Sequence, residues 1–171
     1  MVYVSADPLL KGEAIARYEL TLRPIADADQ PFLRQVYNST REEELAVVPW
    51  QEEQKQAFLE FQFNAQHTFY QNNFKQAHYW VIEQSSAPIG RLYLDRRADE
   101  ICIIDIALLP AYRDCGIGTA LLNTILAEAQ ARNQPVRIHV EPNNRALNLY
   151  HRLGFRQIGD AGVYNLMEWT P

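Results

Sequence analysis

Arg113-Asp114-Cys115-Gly116-Ile117-Gly118, followed by Thr119-Ala120-Leu121-Leu122, holds residue types suited to gripping an anion. Two glycines let a ligand approach the main chain closely. A helix that opens just after them leaves its first N–H groups without intrahelical acceptors, and such a nest of donors binds phosphate. Arg113 is expected to add positive charge at the mouth of this turn. Cys115, near both Arg113 and a helix N-terminus, is either a redox switch or a small side chain filling a turn position.

Two familiar phosphate loops do not fit. No Lys-Ser or Lys-Thr pair follows the glycines, and the third glycine of a dinucleotide fingerprint is replaced by Leu121. The spacing does fit Arg-x-x-Gly-x-Gly. A second stretch lies downstream, Val136-Arg-Ile-His-Val-Glu-Pro-Asn-Asn-Arg-Ala-Leu-Asn-Leu-Tyr150-His-Arg-Leu-Gly154-Phe155, ending in Leu-Tyr-x-x-x-Gly-Phe. With both motifs in this order and one helix between them, the chain resembles the GNAT superfamily of acyl-CoA N-acyltransferases from Leu20 to its C-terminus.

The resemblance implies an N-acetyltransferase that moves an acetyl group from acetyl-CoA to a primary amine of a small molecule or protein. Attack would be direct, within a ternary complex. Acetyl-CoA would be the co-substrate, and no metal is required. The family's binding mode lays the pantetheine arm against the backbone of Ile106, Ala107 and Leu108. It lays the pyrophosphate on Asp114, Cys115, Gly116, Ile117, Gly118 and Thr119, with Arg113 beside them. Asn143 or Asn144 matches the family asparagine near the pantetheine, and Tyr150 the tyrosine near the sulfur.

An acyl thioester is activated enough to need no covalent enzyme intermediate. The amine must arrive neutral, charge on the thioester oxygen must be stabilised, and the leaving thiolate must be protonated. A phenol of pKa about 10 can protonate the thiolate of a thiol with pKa about 8.5, because proximity and the local field offset the mismatch. Tyr150 therefore stands as general acid or as a core aromatic. The base is open. Asp105 interrupts an apolar strand, and a buried carboxylate requires a partner, so it is either a structural ion pair or the base. Glu100, His139, Glu141 or a water chain are the other options, while Cys102 is an inert filler.

These residues need a scaffold. Ile101-Cys-Ile-Ile-Asp-Ile-Ala-Leu108 reads as a buried strand ended by Pro110. Strands are also expected at 18–25, 77–84, 89–97, 136–140, 155–159 and 163–169, and Gly90 marks a bulge or a close approach. Helices are expected after Asp27 or Asp29, over Gln51–Asn73, from Thr119 to Asn133, and from Asn143 or Asn144 to Leu153. In the second of these, Ala57, Phe61, Ala65 and Phe69 recur every four residues, with Phe58, Leu59 and Tyr70 widening the apolar face. The resemblance makes Trp50, Gln62, Gln66, His67 and Tyr70 acceptor-pocket candidates, each alternatively an ordinary packing residue. Glu42–Glu44 form either a solvated face or a patch that steers a cation. The outcome is an α/β fold: a mixed, mostly antiparallel sheet of about seven strands with helices on both faces, the acyl-CoA N-acyltransferase fold.

Length and composition agree with this. The 171 residues suit one domain, expected over 18–171, and the 47% hydrophobic and 22% charged fractions are those of a globular chain. Residues 1–17 are expected to be a tail or a short arm over the domain. A net charge of −5 argues against a nucleic-acid partner and suits a cationic acceptor. No apolar run approaches the roughly 18 residues that span a bilayer, so no membrane partner is expected. Two cysteines make no disulfide framework, which points to the cytoplasm. The resemblance is compatible with a homodimer. Two other functions use the same residues: a non-catalytic acyl-CoA-binding module or sensor, and a nucleotide-binding protein with Glu141 on the ribose.

Overall fold

The computed structural model describes residues 7–171. Among them, seven strands form one sheet in the order β1-β2-β3-β4-β5-β7-β6. These are β1 (Leu20–Pro24), β2 (His78–Gln84), β3 (Ala87–Arg96), β4 (Ile101–Leu108), β5 (Val136–Val140), β6 (Arg156–Ala161) and β7 (Tyr164–Trp169). The helices are α1 (Glu13–Arg17), α2 (Gln30–Ala46), α3 (Glu52–Asn73), α4 (Ile117–Arg132) and α5 (Leu147–Arg152). Only β4 and β5 pair in parallel, because α4 carries the chain back between them. The expected mixed, mostly antiparallel sheet is therefore present, with helices on both faces. Among the described residues no helix is long and apolar enough to cross a membrane.

One face is an apolar core. From α4, Ile117, Leu121, Leu122, Ile125, Leu126 and Ala129 pack with Leu92, Leu94, Ile101, Ile103, Val136 and Ile138. Burial of each aliphatic side chain here is worth about 1.5–3 kcal/mol. Leu121, the residue that breaks the dinucleotide fingerprint, is a core side chain. Residues 7–17 also pack on this core. Leu9 and Ile15 are buried in it, and Arg96 ties Asp7 and Glu128 together at 2.7 Å each. Residues 1–6 of the expected tail lie outside the described residues.

The opposite face carries α2 and α3, which share a cluster of Leu33, Tyr37, Leu45, Leu59 and Phe63. Here the expected apolar face of α3 is present only in part: its Leu59 is buried and its Phe58 and Tyr70 half-buried, but its four-residue row points outward. Phe61 is 69% and Phe69 55% exposed, whereas Leu59 and Phe63 are buried. Positions 59, 63, 66 and 70 follow the 3.6-residue period and share one face, and two of them, Gln66 and Tyr70, are polar. The residues at 57, 61, 65 and 69 fall on the opposite side.

Two irregularities shape the central strands. A side chain at Gly90 would collide with the Ala107 carbonyl, so the expected close approach is real. In β4 the pairing steps from Ile103↔Leu94 to Asp105↔Tyr93, leaving Ile104 as the extra residue of a bulge. An uninterrupted alternation would put Asp105 on the face of Ile101 and Ile103, in the apolar core. With the bulge, Ile106 and Leu108 take that face, and Asp105 turns towards α3.

Candidate active site

A wedge opens between β4 and β5. The two strands pair at Ile101↔Val136, Cys102↔Arg137 and Ile103↔Ile138, and no further. Past the bulge, β4 stays bonded to β3 through Leu108, while β5 follows β7 through Val140. Backbone groups of residues 104–108 on the β5 side thus lack a ladder partner. Ile106, Ala107 and Leu108 lie along this open edge. An extended ligand can pair there as an added strand would.

The glycine turn follows directly. Asp114 and Gly116 take left-handed conformations (φ 57° and 89°), and α4 begins at Ile117, two residues earlier than expected. The first helical bond runs from Ala120 N to the Gly116 carbonyl at 3.0 Å. The N–H groups of Gly116, Ile117, Gly118 and Thr119 therefore precede the ladder. Any side chain at Gly116 would strike the Tyr18 hydroxyl, whereas the space beside Gly118 is open. Cys115 is exposed, and its thiol donates to the Arg113 carbonyl at 3.1 Å, as expected of a turn filler.

Arg113, expected at the mouth of this turn, is tied down by its own hydrogen bonds. Its Nε donates to the Leu108 carbonyl and its Nη2 to Ser39 Oγ, both at 2.9 Å, so it fastens the end of β4 to α2. Burial and then the neighbouring Arg145 charge hold its pKa below the ordinary arginine value. The exposed cation at the turn is Arg145, which meets Asp114 at 2.9 Å. It lies within the second motif quoted above, two residues beyond Asn143, and that position was its only signal.

Before α5, the Asn144 side chain accepts from Ala146 N at 2.8 Å and so shapes the turn. Asn143 is exposed beside it. Tyr150 is buried, and its ring meets Phe155 edge-on at 5.5 Å. Burial first, and the Asp105 charge second, push the Tyr150 phenol well above its ordinary pKa, which keeps it protonated.

Asp105 sits in a polar network under α3. Arg91 donates to Asp105 Oδ2 at 2.9 Å and to Oδ1 at 3.3 Å, and the Tyr70 hydroxyl donates to Oδ2 at 3.2 Å. Gln66 accepts from Arg91 at 2.9 Å. Arg91 is almost fully buried, and desolvation is outweighed by the charges of Asp105 and the neighbouring tyrosines, so its pKa is raised. Arg91 escaped the sequence reading. It is the charged residue between the apolar stretches Ala87–Gly90 and Leu92–Leu94 of β3, the counterpart of Asp105 on the next strand.

The acceptor candidates divide accordingly. Gln66 and Tyr70 join the Asp105 network. His67 stacks on Phe63 at 5.8 Å and bonds Gln30, with burial and then Arg91 holding its pKa below the ordinary value. Trp50 packs edge-on against Phe58 at 5.2 Å, and Gln62 is half-buried. Glu42–Glu44 lie in the last turns of α2, with Glu44 on Arg41 at 3.2 Å. The other acids are engaged as well: Glu100 with Arg97 and Arg137, and both oxygens of Glu141 with Arg41. His139 is exposed, and burial pushes the Cys102 thiol up to about 11.

Residues 33–155 match the acetyltransferase (GNAT) family. The [ribosomal protein bS18]-alanine N-acetyltransferase of Haemophilus influenzae is 33% identical over 61 residues, 35% of this chain and 42% of that protein. An N-alpha-acetyltransferase of Sulfurisphaera tokodaii is 36% identical over 59 residues, 33% of this chain and 35% of that protein. The matched segment thus spans less than half the length of either curated relative. The fold is similar to that of the PaiA N-acetyltransferase of Thermoplasma acidophilum in complex with coenzyme A, with TM-score 0.65 and 19% identity, covering 89% of this chain and 99% of that one. It is also similar to the Escherichia coli ribosomal-protein-S18-alanine N-acetyltransferase, with TM-score 0.58 and 20% identity, covering 88% and 93%. With a family match across most of its length, from α2 to the residue before β6, this chain belongs to the acetyltransferase (GNAT) family.

Proposed function

We propose that residues 18–171 act as one N-acetyltransferase domain that transfers an acetyl group from acetyl-CoA to a primary amine, by direct attack in a ternary complex. The wedge between β4 and β5, with the glycine turn at its end, is the observation that carries this reading. The thioester supplies an activated acyl group. The backbone of Ile106, Ala107 and Leu108 pairs with the pantetheine arm, and a main-chain N–H there donates to the thioester oxygen. The N–H groups of the turn from Asp114 to Thr119 hold the pyrophosphate, assisted by Arg145, and Asn143 reaches the pantetheine. Tyr150 gives its proton to the leaving thiolate.

A non-catalytic acyl-CoA-binding module has one observation in its favour. The oxygens of Asp105, Glu100 and Glu141 are all engaged by arginines, which leaves none of these three candidate carboxylates free as base. On the enzymatic reading, solvent takes the amine's proton, and Asp105 orders the pocket. Release of the CoA thiol across a panel of small amines and peptides with free N-termini separates the two. Amine-dependent release above hydrolysis supports the enzyme. Tight acetyl-CoA binding with no release from any amine supports the module.

A further inference from the structure

The segment before β1 lies outside the matched residues 33–155 and follows α4 along its length. At one end Arg96 joins Asp7 to Glu128, at 2.7 Å each. Midway, a Cβ added at Gly12 would lie 3.1 Å from Thr124 Oγ1. Leu9 and Ile15 are buried in the core built on α4, and Tyr18 packs against it. At the other end the Tyr18 hydroxyl stands against Gly116. From Glu128 to Gly116 is about 18 Å at the helical rise of 1.5 Å per residue.

Tyr18 is also fixed from the sheet. Its carbonyl accepts from Gln84 Nε2 at 3.0 Å, and the Glu19 carbonyl accepts from Ser85 N at 3.2 Å. Glu19 is left-handed, with φ 52°, which turns the chain from α1 into β1. The hydroxyl is thus held by α4 on one side and by the β2–β3 connection on the other.

The glycine turn has few contacts of its own. Asp114, Cys115 and Gly116 are exposed, and Asp114 and Gly116 are both left-handed, a strained form for the aspartate. The exposed Arg145–Asp114 pair holds it only weakly. At φ 89° a Cβ on Gly116 would lie nearly anti to that residue's own N–H, and Tyr18 stands in the Cβ direction. Tyr18 therefore backs the turn and leaves its N–H side clear. Donors held in place beforehand bind a ligand without a further ordering cost.

We infer that Tyr18 is a positioning residue for the donor site: segment 7–17 holds its hydroxyl behind Gly116, which keeps the turn's N–H groups aimed at the pyrophosphate. The inference rests on the acetyl-CoA reading above. Coupling between two sites is reciprocal, so the docked segment tightens acetyl-CoA binding and acetyl-CoA holds the segment down.

Calorimetric titration of the full chain with acetyl-CoA, beside melting curves and amide hydrogen exchange, tests this. Tyr18→Ala is expected to weaken binding about tenfold. Tyr18→Phe keeps the ring and should stay within about threefold of wild type. Asp7→Ala, at the far end of the segment, should still weaken binding about threefold. Gly116→Ala is expected to bind more than about tenfold more weakly than wild type, because its methyl strikes the hydroxyl. Adding Tyr18→Phe leaves a ring carbon 3.4 Å from that methyl, an ordinary contact. The double variant should therefore recover at least about threefold in affinity. This pair carries the test if Tyr18→Ala fails to fold. Saturating acetyl-CoA should slow exchange of the bonded amides of Ile15 and Ala16 in wild type and not in Tyr18→Ala. A wild type that binds acetyl-CoA beside a folded Tyr18→Ala that binds it equally well overturns the inference and leaves the donor reading standing. So does a Gly116→Ala defect that Tyr18→Phe fails to relieve. A wild type that does not bind acetyl-CoA removes both.

Discussion

Arg91 and Asp105 meet at 2.9 Å across β3 and β4, two opposite charges set in strands that are otherwise largely apolar. They are diagonal neighbours: Arg91 pairs with Ala107 and Asp105 with Tyr93. The pair exists because Ile104 bulges out of β4. Without that extra residue the Asp105 carboxylate would point into the core built on α4, with no partner.

Asp105→Asn separates architecture from chemistry. Breaking a buried pair from one side costs about 3 kcal/mol or more, because the Arg91 charge remains buried. At about 2–4 °C per kcal/mol for a domain of this size, the melting midpoint should fall by roughly 10 °C. Turnover by the folded protein, measured at low temperature, should remain close to wild type. A loss of about 100-fold in kcat with an unchanged midpoint would instead make Asp105 the base.

Tyr150→Phe removes the proposed acid and leaves the ring in place. We expect kcat to fall by about 100-fold or more, with acetyl-CoA affinity within about threefold of wild type. Equal turnover would remove the role. The sign of the pH effect follows from burial and the negative Asp105, both of which disfavour the phenolate. Tyr150 should therefore stay protonated past the ordinary tyrosine value of about 10, and kcat should show no alkaline fall below that pH. Its contribution to stability is likewise complete below about pH 10 and is lost as pH rises beyond it.

Arg113 and Arg145 make a paired test of which cation serves the donor. Arg113→Ala should lower stability by about 2 kcal/mol through lost bonds to the Leu108 carbonyl and Ser39. Arg145→Ala should change stability by less than about 1 kcal/mol, since its pair with Asp114 is exposed. It should weaken acetyl-CoA binding roughly tenfold, as loss of one charge-assisted phosphate contact. Titrations of both variants beside their melting curves decide the matter. Loss of affinity in a fully folded Arg113→Ala, with Arg145→Ala unaffected, would reverse the assignment.

Much of this architecture is legible in local sequence signals. Val136–Val140 alternates and is bounded by Pro135, and α4 shows its buried stripe at helical spacing and its stop at Asn133. The glycine turn declares itself because few chemistries need two glycines at the start of a helix. What escaped is tertiary. The inward-facing row of α3 contains Gln66 and Tyr70, whose polar groups are met by Arg91 and Asp105 from distant strands. Apolar letters at 61 and 69 therefore drew attention to the solvent side. Arg113 is a parallel case, since its position next to the glycines says nothing of the Leu108 carbonyl that captures it. The arm at 7–17 is short and broken by Gly12, and its order depends on Arg96 and the α4 surface.

Calorimetric titration of the full chain with acetyl-CoA, with NADH as the control ligand, tests the central claim most directly. The same titration on Gly118→Leu serves as the internal control, because space beside Gly118 is open and the substitution is expected to block the turn without unfolding it. Gly116 is the poorer probe, since any side chain there strikes Tyr18. The account predicts micromolar binding of acetyl-CoA, no binding of NADH, and loss of acetyl-CoA binding in Gly118→Leu with an unchanged melting midpoint. A wild type that fails to bind acetyl-CoA, or a folded Gly118→Leu that binds it normally, would contradict it.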